Sequence, residues 1–248
     1  MCNYSLMTRT IIIMAKVPRA GNVKTRLQPF LSAEQCRALA EAFLFDAINK
    51  TRNVCDRLII AFAPAREKNY FAHLIGENLT LIEQSGADLG EKMSDAFEFV
   101  FGLNPDAKAV MIGTDSPTFP PHFIERAFEA LKSTPQTVLG KSADGGFYLI
   151  GLNKIVPRLF DRIEWSSPLV FEQIKRNIEK SNVVELKLIP NWYDVDNPND
   201  LVNLREELLK NEHARKIAPH TYQWLIANAE IFALNSNSFL ISPPENKI

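Results

Sequence analysis

Ala109-Val110-Met111-Ile112-Gly113-Thr114-Asp115-Ser116-Pro117 decides how the rest of the chain is read. The run from Ala109 to Gly113 is short and apolar, as expected of a buried strand. An open α/β sheet binds ligands just beyond the carboxyl ends of its strands. Asp115 stands at such an end with no basic neighbour in sequence, which predicts a Mg²⁺ or Mn²⁺ ligand facing phosphate oxygens. The alternative is a helix cap, since Ser and Asp commonly precede proline-led helix starts.

Outward from this stretch, strand-like and helix-like segments alternate. Thr10–Met14, Arg57–Phe62, Leu79–Ile82, Thr137–Leu139, Phe147–Leu152 and Val184–Leu188 read as further strands. Ser32–Lys50 reads as a helix: Ser32 and Gln35 have capping-box spacing, and Leu39, Phe43 and Ala47 recur at helical intervals. Leu89–Phe101, Phe123–Leu131, Pro168–Glu179 and His220–Ala233 follow as helices, and Asn197-Pro198-Asn199-Asp200 reads as another helix start. The alternation predicts a three-layer α/β/α sandwich built on a mostly parallel sheet. Residues 1–210 would form this domain. Residues 211–248 would add a C-terminal helix and a loose tail, because Leu234–Ile248 carries few apolar side chains.

The 248 residues are 46% hydrophobic and 23% charged, with a net charge of −1. Such a chain can bury a sizeable core. It has no concentrated positive charge for nucleic acid or an anionic membrane. Cys2, Cys36 and Cys55 lack zinc-like or redox spacing. No apolar run is long enough to span a bilayer, and Ile11–Met14 is too short for a signal peptide. A cytoplasmic protein is expected.

Several loops carry residues that could do chemistry. Ala15-Lys16-Val17-Pro18-Arg19-Ala20-Gly21-Asn22-Val23-Lys24-Thr25-Arg26 follows the first strand and offers four cations and a glycine. It can wrap phosphates, although it lacks the Walker A order and also reads as a solvated basic loop. Asp88 before the Leu89 helix is either a cap or, with Gly90, part of a surface that a nucleobase approaches. Asp144-Gly145-Gly146 reads as a hairpin turn or as a ligand contact. Trp165-Ser166-Ser167-Pro168 offers hydroxyls to an acceptor phosphate at a helix start, or an N-cap at Ser167. Asp194 and Asp196 point the same way on an extended segment, an arrangement favoured by a cation between them. The four histidines have no metal-ligand spacing.

Taken together, MAKVPRAGNVKTRL, ADLGEKM, IGTDSP, ADGGFYLIGL, IEWSSPLV and WYDVDNPNDL resemble, in order and spacing, the bacterial DUF2064 proteins. That group is also labelled a nucleotide-diphospho-sugar transferase or glycosyltransferase family of GT-A fold. The chain is similar as well to phospholactate guanylyltransferases and, more distantly, to nucleotidyltransferases that activate sugar phosphates and molybdopterin. The resemblance implies that Asp115 and Asp196 hold the metal, with Asp194 a further candidate. It implies that Arg19, Gly21, Lys24 and Arg26 line the nucleotide phosphates, that Ala15 and Pro18 shape the base and ribose cleft, and that Gly145 and Gly146 border the acceptor or sugar subsite. The chain departs from those relatives in three places: its first loop is poorer in glycine, its metal motif is Thr-Asp-Ser rather than Asp-x-Asp, and Asn197 replaces a threonine.

The expected activity is a metal-dependent transfer from a nucleotide or nucleotide-sugar donor to a small-molecule acceptor. Lys24, Arg26 and Asp115 would carry the catalysis, and Asp88 and Gly90 would border the nucleotide. Asp144, Gly145, Gly146, Trp165 and Ser166 would face the acceptor. Glycosyl transfer leads, nucleotidyl transfer is the alternative, and a non-catalytic nucleotide-binding module is the third reading.

Overall fold

The computed structural model describes residues 8–28, 30–76, 79–132 and 134–233. The expected loose tail from Leu234 onward lies outside them. Seven strands form one sheet: β1 (Arg9–Lys16), β2 (Arg57–Ala63), β3 (Thr80–Glu83), β4 (Lys108–Ile112), β5 (Gln136–Ser142), β6 (Phe147–Leu152) and β7 (Glu185–Trp192). The helices are α1 (Ala33–Arg52), α2 (Lys68–Ile75), α3 (Leu89–Leu103), α4 (Pro121–Ala130), α5 (Val170–Ser181), α6 (Pro198–Lys210), α7 (Glu212–Ile217) and α8 (Pro219–Ala227).

The spatial order is β3-β2-β1-β4-β6-β5-β7. All pairings are parallel except those of β6, which runs antiparallel to both β4 and β5. That exception follows from Asp144-Gly145-Gly146, because a tight turn can join only antiparallel strands. Gly145 has φ +93°, and the Gly146 amide donates to Asp144 Oδ1 at 2.9 Å. The mostly parallel three-layer sandwich is therefore present.

Ile11, Ile12 and Ile13 are fully buried. Side chains alternate across a strand. Ile11 and Ile13 pack with α1, α2 and α4, while Ile12 packs with α3 and α5 on the other face. A continuous apolar run is what a strand covered on both faces requires. Helix starts match their caps. Ser32 and Gln35 form the capping box of α1, and Asn197 and Asp200 that of α6, with Pro198 in its first turn.

A third apolar cluster lies outside the sandwich. Leu201, Leu204 and Leu208 of α6 and Trp224 and Leu225 of α8 pack on Leu39 and Phe43 of α1. The Asp46 carboxylate secures this layer, accepting from His220 N, Thr221 N and Thr221 Oγ1 at 2.9, 2.8 and 2.6 Å. It caps α8 from another helix.

Some boundaries differ from the sequence expectation. β7 runs on to Trp192 through Pro190, which an edge strand tolerates because half its amides need no partner. α5 begins at Val170 rather than Pro168. α2 and α7 were not anticipated. Each has fewer than nine residues, too short for periodicity to declare them. No helix among the described residues is long and apolar enough to cross a membrane.

Candidate active site

β2 and β4 lie on opposite sides of β1, so the strand order reverses there. Such a reversal opens a crevice at the carboxyl ends of the strands. A cavity of about 860 Å³ fills it, lined from the ends of β1, β3 and β4 and from the β5–β6 hairpin.

Lys24 is the centre of the wall. Its backbone is left-handed, with φ 49° and ψ 36°. Its carbonyl accepts from Leu27 N at 2.9 Å and from Cys36 Sγ at 3.4 Å, which holds the turn in place. The side chain is only 7% exposed. Its Nζ lies 2.6 Å from Asp115 Oδ1 and 3.7 Å from Asp196 Oδ1, and donates to Val195 O at 2.7 Å. Arg26, largely exposed, stands 3.7 Å from Asp196 Oδ2. The loop after β4 and the segment before α6 are joined directly as well, Val195 N donating to Asp115 O at 2.9 Å. Asp115 and Asp196, distant in the chain, thus converge on one cation beside open space.

Asp194 differs from its neighbours. It is half-buried, and its two oxygens accept from the hydroxyls of Ser116 and Ser142, the latter at 2.6 Å. Burial pushes its pKa up to about 6; the two hydroxyls oppose that rise, and the charges of Asp115 and Asp144 add to it. Burial also raises the pKa of Asp196, with Lys24 opposing and Asp115 reinforcing. With both oxygens engaged, Asp194 ties β5 to the Asp115 loop, whereas Asp115 and Asp196 remain half-open to the cavity.

Ten of the residues given a role in the expected activity line this cavity: Ala15, Lys24 and Arg26; Asp115, Asp194 and Asp196; Asp144, Gly146, Trp165 and Ser166. The others lie elsewhere. Pro18 and Gly21 are outside the lining. The Arg19 guanidinium is 2.7 Å from Glu67 and 3.4 Å from the centre of the Tyr70 ring, turned toward α2. Asp88 caps α3, accepting from Glu91 N at 2.9 Å. A Cβ on Gly90 would come within 2.8 Å of Phe160 Cβ and 3.0 Å of Trp165, so this glycine makes room for protein rather than for a base. Asp88 and Gly90 border a separate cavity of about 450 Å³.

Gly145 faces Pro168, whose carbonyl oxygen would lie 2.2 Å from an added Cβ. Its own carbonyl accepts Phe171 N at 3.0 Å, so an amide in the first turn of α5 is spent on the hairpin. Ser167 does not cap α5; its Oγ accepts from Leu169 N at 3.3 Å in the turn just before.

Sequence reasoning missed Gln84, Ser116 and Ser142. Gln84 follows β3 at the same sheet edge, so the strand-end rule would have found it. Both hydrogens of its amide nitrogen go to carbonyls, Ala15 O at 3.2 Å and Ala61 O at 2.8 Å. That orientation leaves Oε1 as an acceptor. No local signal marks Ser142, which matters only through Asp194.

The chain is similar to known proteins over most of its length. The family described as "Uncharacterized protein conserved in bacteria (DUF2064)" matches residues 47–167. The 2-phospho-L-lactate guanylyltransferase of Methanosphaera stadtmanae is 27% identical over 224 residues, spanning 87% of this chain and 89% of that protein. A candidate nucleotide-diphospho-sugar transferase from Desulfovibrio desulfuricans G20 is 28% identical with a TM-score of 0.83, over 92% of this chain and 98% of that one. A 4-diphosphocytidyl-2C-methyl-D-erythritol synthase from Anaerococcus prevotii shares the fold at 11% identity and a TM-score of 0.51, over 81% and 99% of the two chains. The fold is that of the nucleotide-diphospho-sugar transferases and nucleotidyltransferases.

Proposed function

We propose that this chain is a metal-assisted transferase acting on a nucleotide-bearing donor, with sugar transfer to a hydroxyl acceptor as the leading reaction. The convergence of Asp115 and Asp196 on Lys24 Nζ, at the wall of the 860 Å³ cavity, carries the proposal. The donor set suits Mg²⁺ or Mn²⁺, which need one or two carboxylates plus water and substrate phosphates. Among the described residues no cluster of three or more His, Cys, Asp or Glu could hold a metal, so the donor would complete the shell. A cation held by Asp115 and Asp196 would neutralise charge on the departing diphosphate.

The protein's own groups divide the remaining work. Lys24 and Arg26 add positive charge beside the donor phosphates. Gln84 Oε1 can accept from a base N–H. Toward the hairpin the wall is made by Asp144, Trp165 and Ser166. The basic residues that line the cavity, Lys16, Lys24 and Arg26, all come from β1 and its loop. A neutral, hydroxyl-bearing acceptor suits the hairpin side, and exposed Asp144 is the carboxylate there that can take the hydroxyl proton.

The 27% identity to a guanylyltransferase favours a second reading, nucleotidyl transfer. The same cations would then bind a triphosphate, an acceptor phosphate would attack the α-phosphorus, and pyrophosphate would leave. Thermal-shift screening of UDP- and GDP-sugars and of free triphosphates, each with Mg²⁺ or Mn²⁺, separates the two. A donor at a hundred times its Kd adds about 2.7 kcal/mol. Release of a nucleoside diphosphate supports sugar transfer, and release of pyrophosphate supports nucleotidyl transfer. Binding without turnover of any acceptor supports a nucleotide-binding module. Stabilisation by none of these ligands rejects the proposal.

A further inference from the structure

We infer that Lys50 is the positioning residue of the Asp115 loop: held behind that loop, its ammonium grips two successive carbonyls and so sets the direction in which Asp115 faces the cavity. The inference rests on the proposed function only for the task given to Asp115.

Lys50 belongs to α1 and is buried. Its Nζ donates to Ser116 O at 3.1 Å and to Pro117 O, and lies 4.0 Å from the centre of the Phe119 ring. The preceding carbonyl, Asp115 O, accepts Val195 N at 2.9 Å. Three consecutive carbonyls are thereby committed, two to Lys50 and one to the segment before α6. With the backbone held on those sides, the Asp115 carboxylate and the Ser116 hydroxyl are left to reach Lys24 and Asp194.

What the ammonium lacks is as informative. Among the described residues no carboxylate lies within 4.0 Å of it. The two acids near enough to act on it are Asp46 of its own helix and Glu207 of α6. Asp46 is engaged by His220 and Thr221, and Glu207 accepts from Thr118 Oγ1 at 2.9 Å and from the Tyr193 hydroxyl. Burial lowers the Lys50 pKa to about 7, with Asp46 and Glu207 opposing. An unpaired buried ammonium is costly, and an apolar side chain of similar volume would avoid the cost. An amine kept there at that cost, with its hydrogen bonds confined to one loop, acts by orienting that loop. The sequence gives no hint of it, since Asn49-Lys50-Thr51-Arg52 reads as the polar end of a helix.

The test compares the wild type, Lys50→Met and Lys50→Arg. One readout is hydrogen exchange at the Val195 amide, which reports loop order without any ligand. The other is Mn²⁺–UDP and Mn²⁺–GDP affinity. Lys50→Met should melt cooperatively yet exchange Val195 at least tenfold faster and bind the better Mn²⁺–nucleotide about tenfold more weakly. Lys50→Arg, which can still donate to both carbonyls, should recover much of both. Wild-type exchange in Lys50→Met, or a Lys50→Arg protein no better than Lys50→Met, overturns the inference. Should Lys50→Met fail to fold, Lys50→Gln decides: its single amide donor should give intermediate Val195 protection, and wild-type protection refutes the clamp. A wild type that binds neither these nucleotides nor the sugar nucleotides and triphosphates of the screen defeats the proposed function, while Val195 exchange still decides the role of Lys50.

Discussion

Lys24 and Lys50 both bury an ammonium against the loop that carries Asp115, and their compensation differs. Lys24 meets two half-exposed carboxylates beside a cavity. Lys50 meets two backbone carbonyls and an aromatic face inside the protein. A carboxylate partner can be shared with an incoming cation or phosphate. A carbonyl of the same loop cannot leave. The first arrangement suits binding and the second suits holding, and the loop between them needs both.

The contrast can be broken from the binding side first. Asp115→Asn removes one of Lys24's carboxylate partners and a proposed metal ligand. Turnover should fall 10²–10³-fold, roughly 2.7–4 kcal/mol, a loss typical of removing one transition-state stabilising group. The cation-dependent rise in Tm with nucleotide should vanish while the ligand-free Tm stays near wild type. Unchanged nucleotide-dependent stabilisation would remove Asp115 from the site.

The rigid part of the cavity is probed by Gly145→Ala. Its φ of +93° and the 2.2 Å approach to Pro168 O leave no room for a methyl group. Denaturant unfolding should show a loss of about 3 kcal/mol. A variant as stable as wild type would mean that the hairpin is not locked to the segment before α5.

Lys50 itself predicts a pH dependence. Its pKa is about 7 in the folded protein, down from the ordinary lysine value of 10.5. Between those values the unfolded chain binds a proton that the folded protein does not, so stability rises with pH across the window. The slope should approach about 1.4 kcal/mol per pH unit, and below pH 7 the full penalty of the buried charge remains. Unfolding free energies of wild type and Lys50→Met, measured from pH 6 to pH 10 (about the span of the window), should diverge accordingly. Parallel curves would show that Lys50 does not titrate there.

The smallest effect belongs to a third cation. Arg19 pairs with Glu67 on a half-exposed surface, away from the cavity lining. Arg19→Ala should cost under about 1 kcal/mol and leave nucleotide affinity unchanged. A tenfold loss of affinity would show that Arg19 leaves Glu67 to reach the donor.

Much of the architecture was legible because its signals are local. Ile11–Ile13 had to be a doubly covered strand, and Asn197-Pro198 had to start a helix whatever lay around them. Asp115 and Asp196 could be singled out because each sits where a strand or its exit loop meets a helix start. The roles of Asp194, Gly145 and Arg19 were not legible. Asp194 and Asp196 are two residues apart on one extended segment, yet one has both oxygens bound by Ser116 and Ser142 and the other faces Lys24 and Arg26. Gly90 and Gly145 looked like places for a ligand, and each makes room for another part of the chain.

Residue order alone thus assigned the strands, the caps and the sheet edge at which acids gather, because hydrophobic alternation and capping act between near neighbours. Folding in three dimensions chose which acids stay open, which lysine faces the cavity and which one braces the loop from behind. Those outcomes depend on competition among partners brought together from distant segments, and packing of the finished sandwich settles that competition.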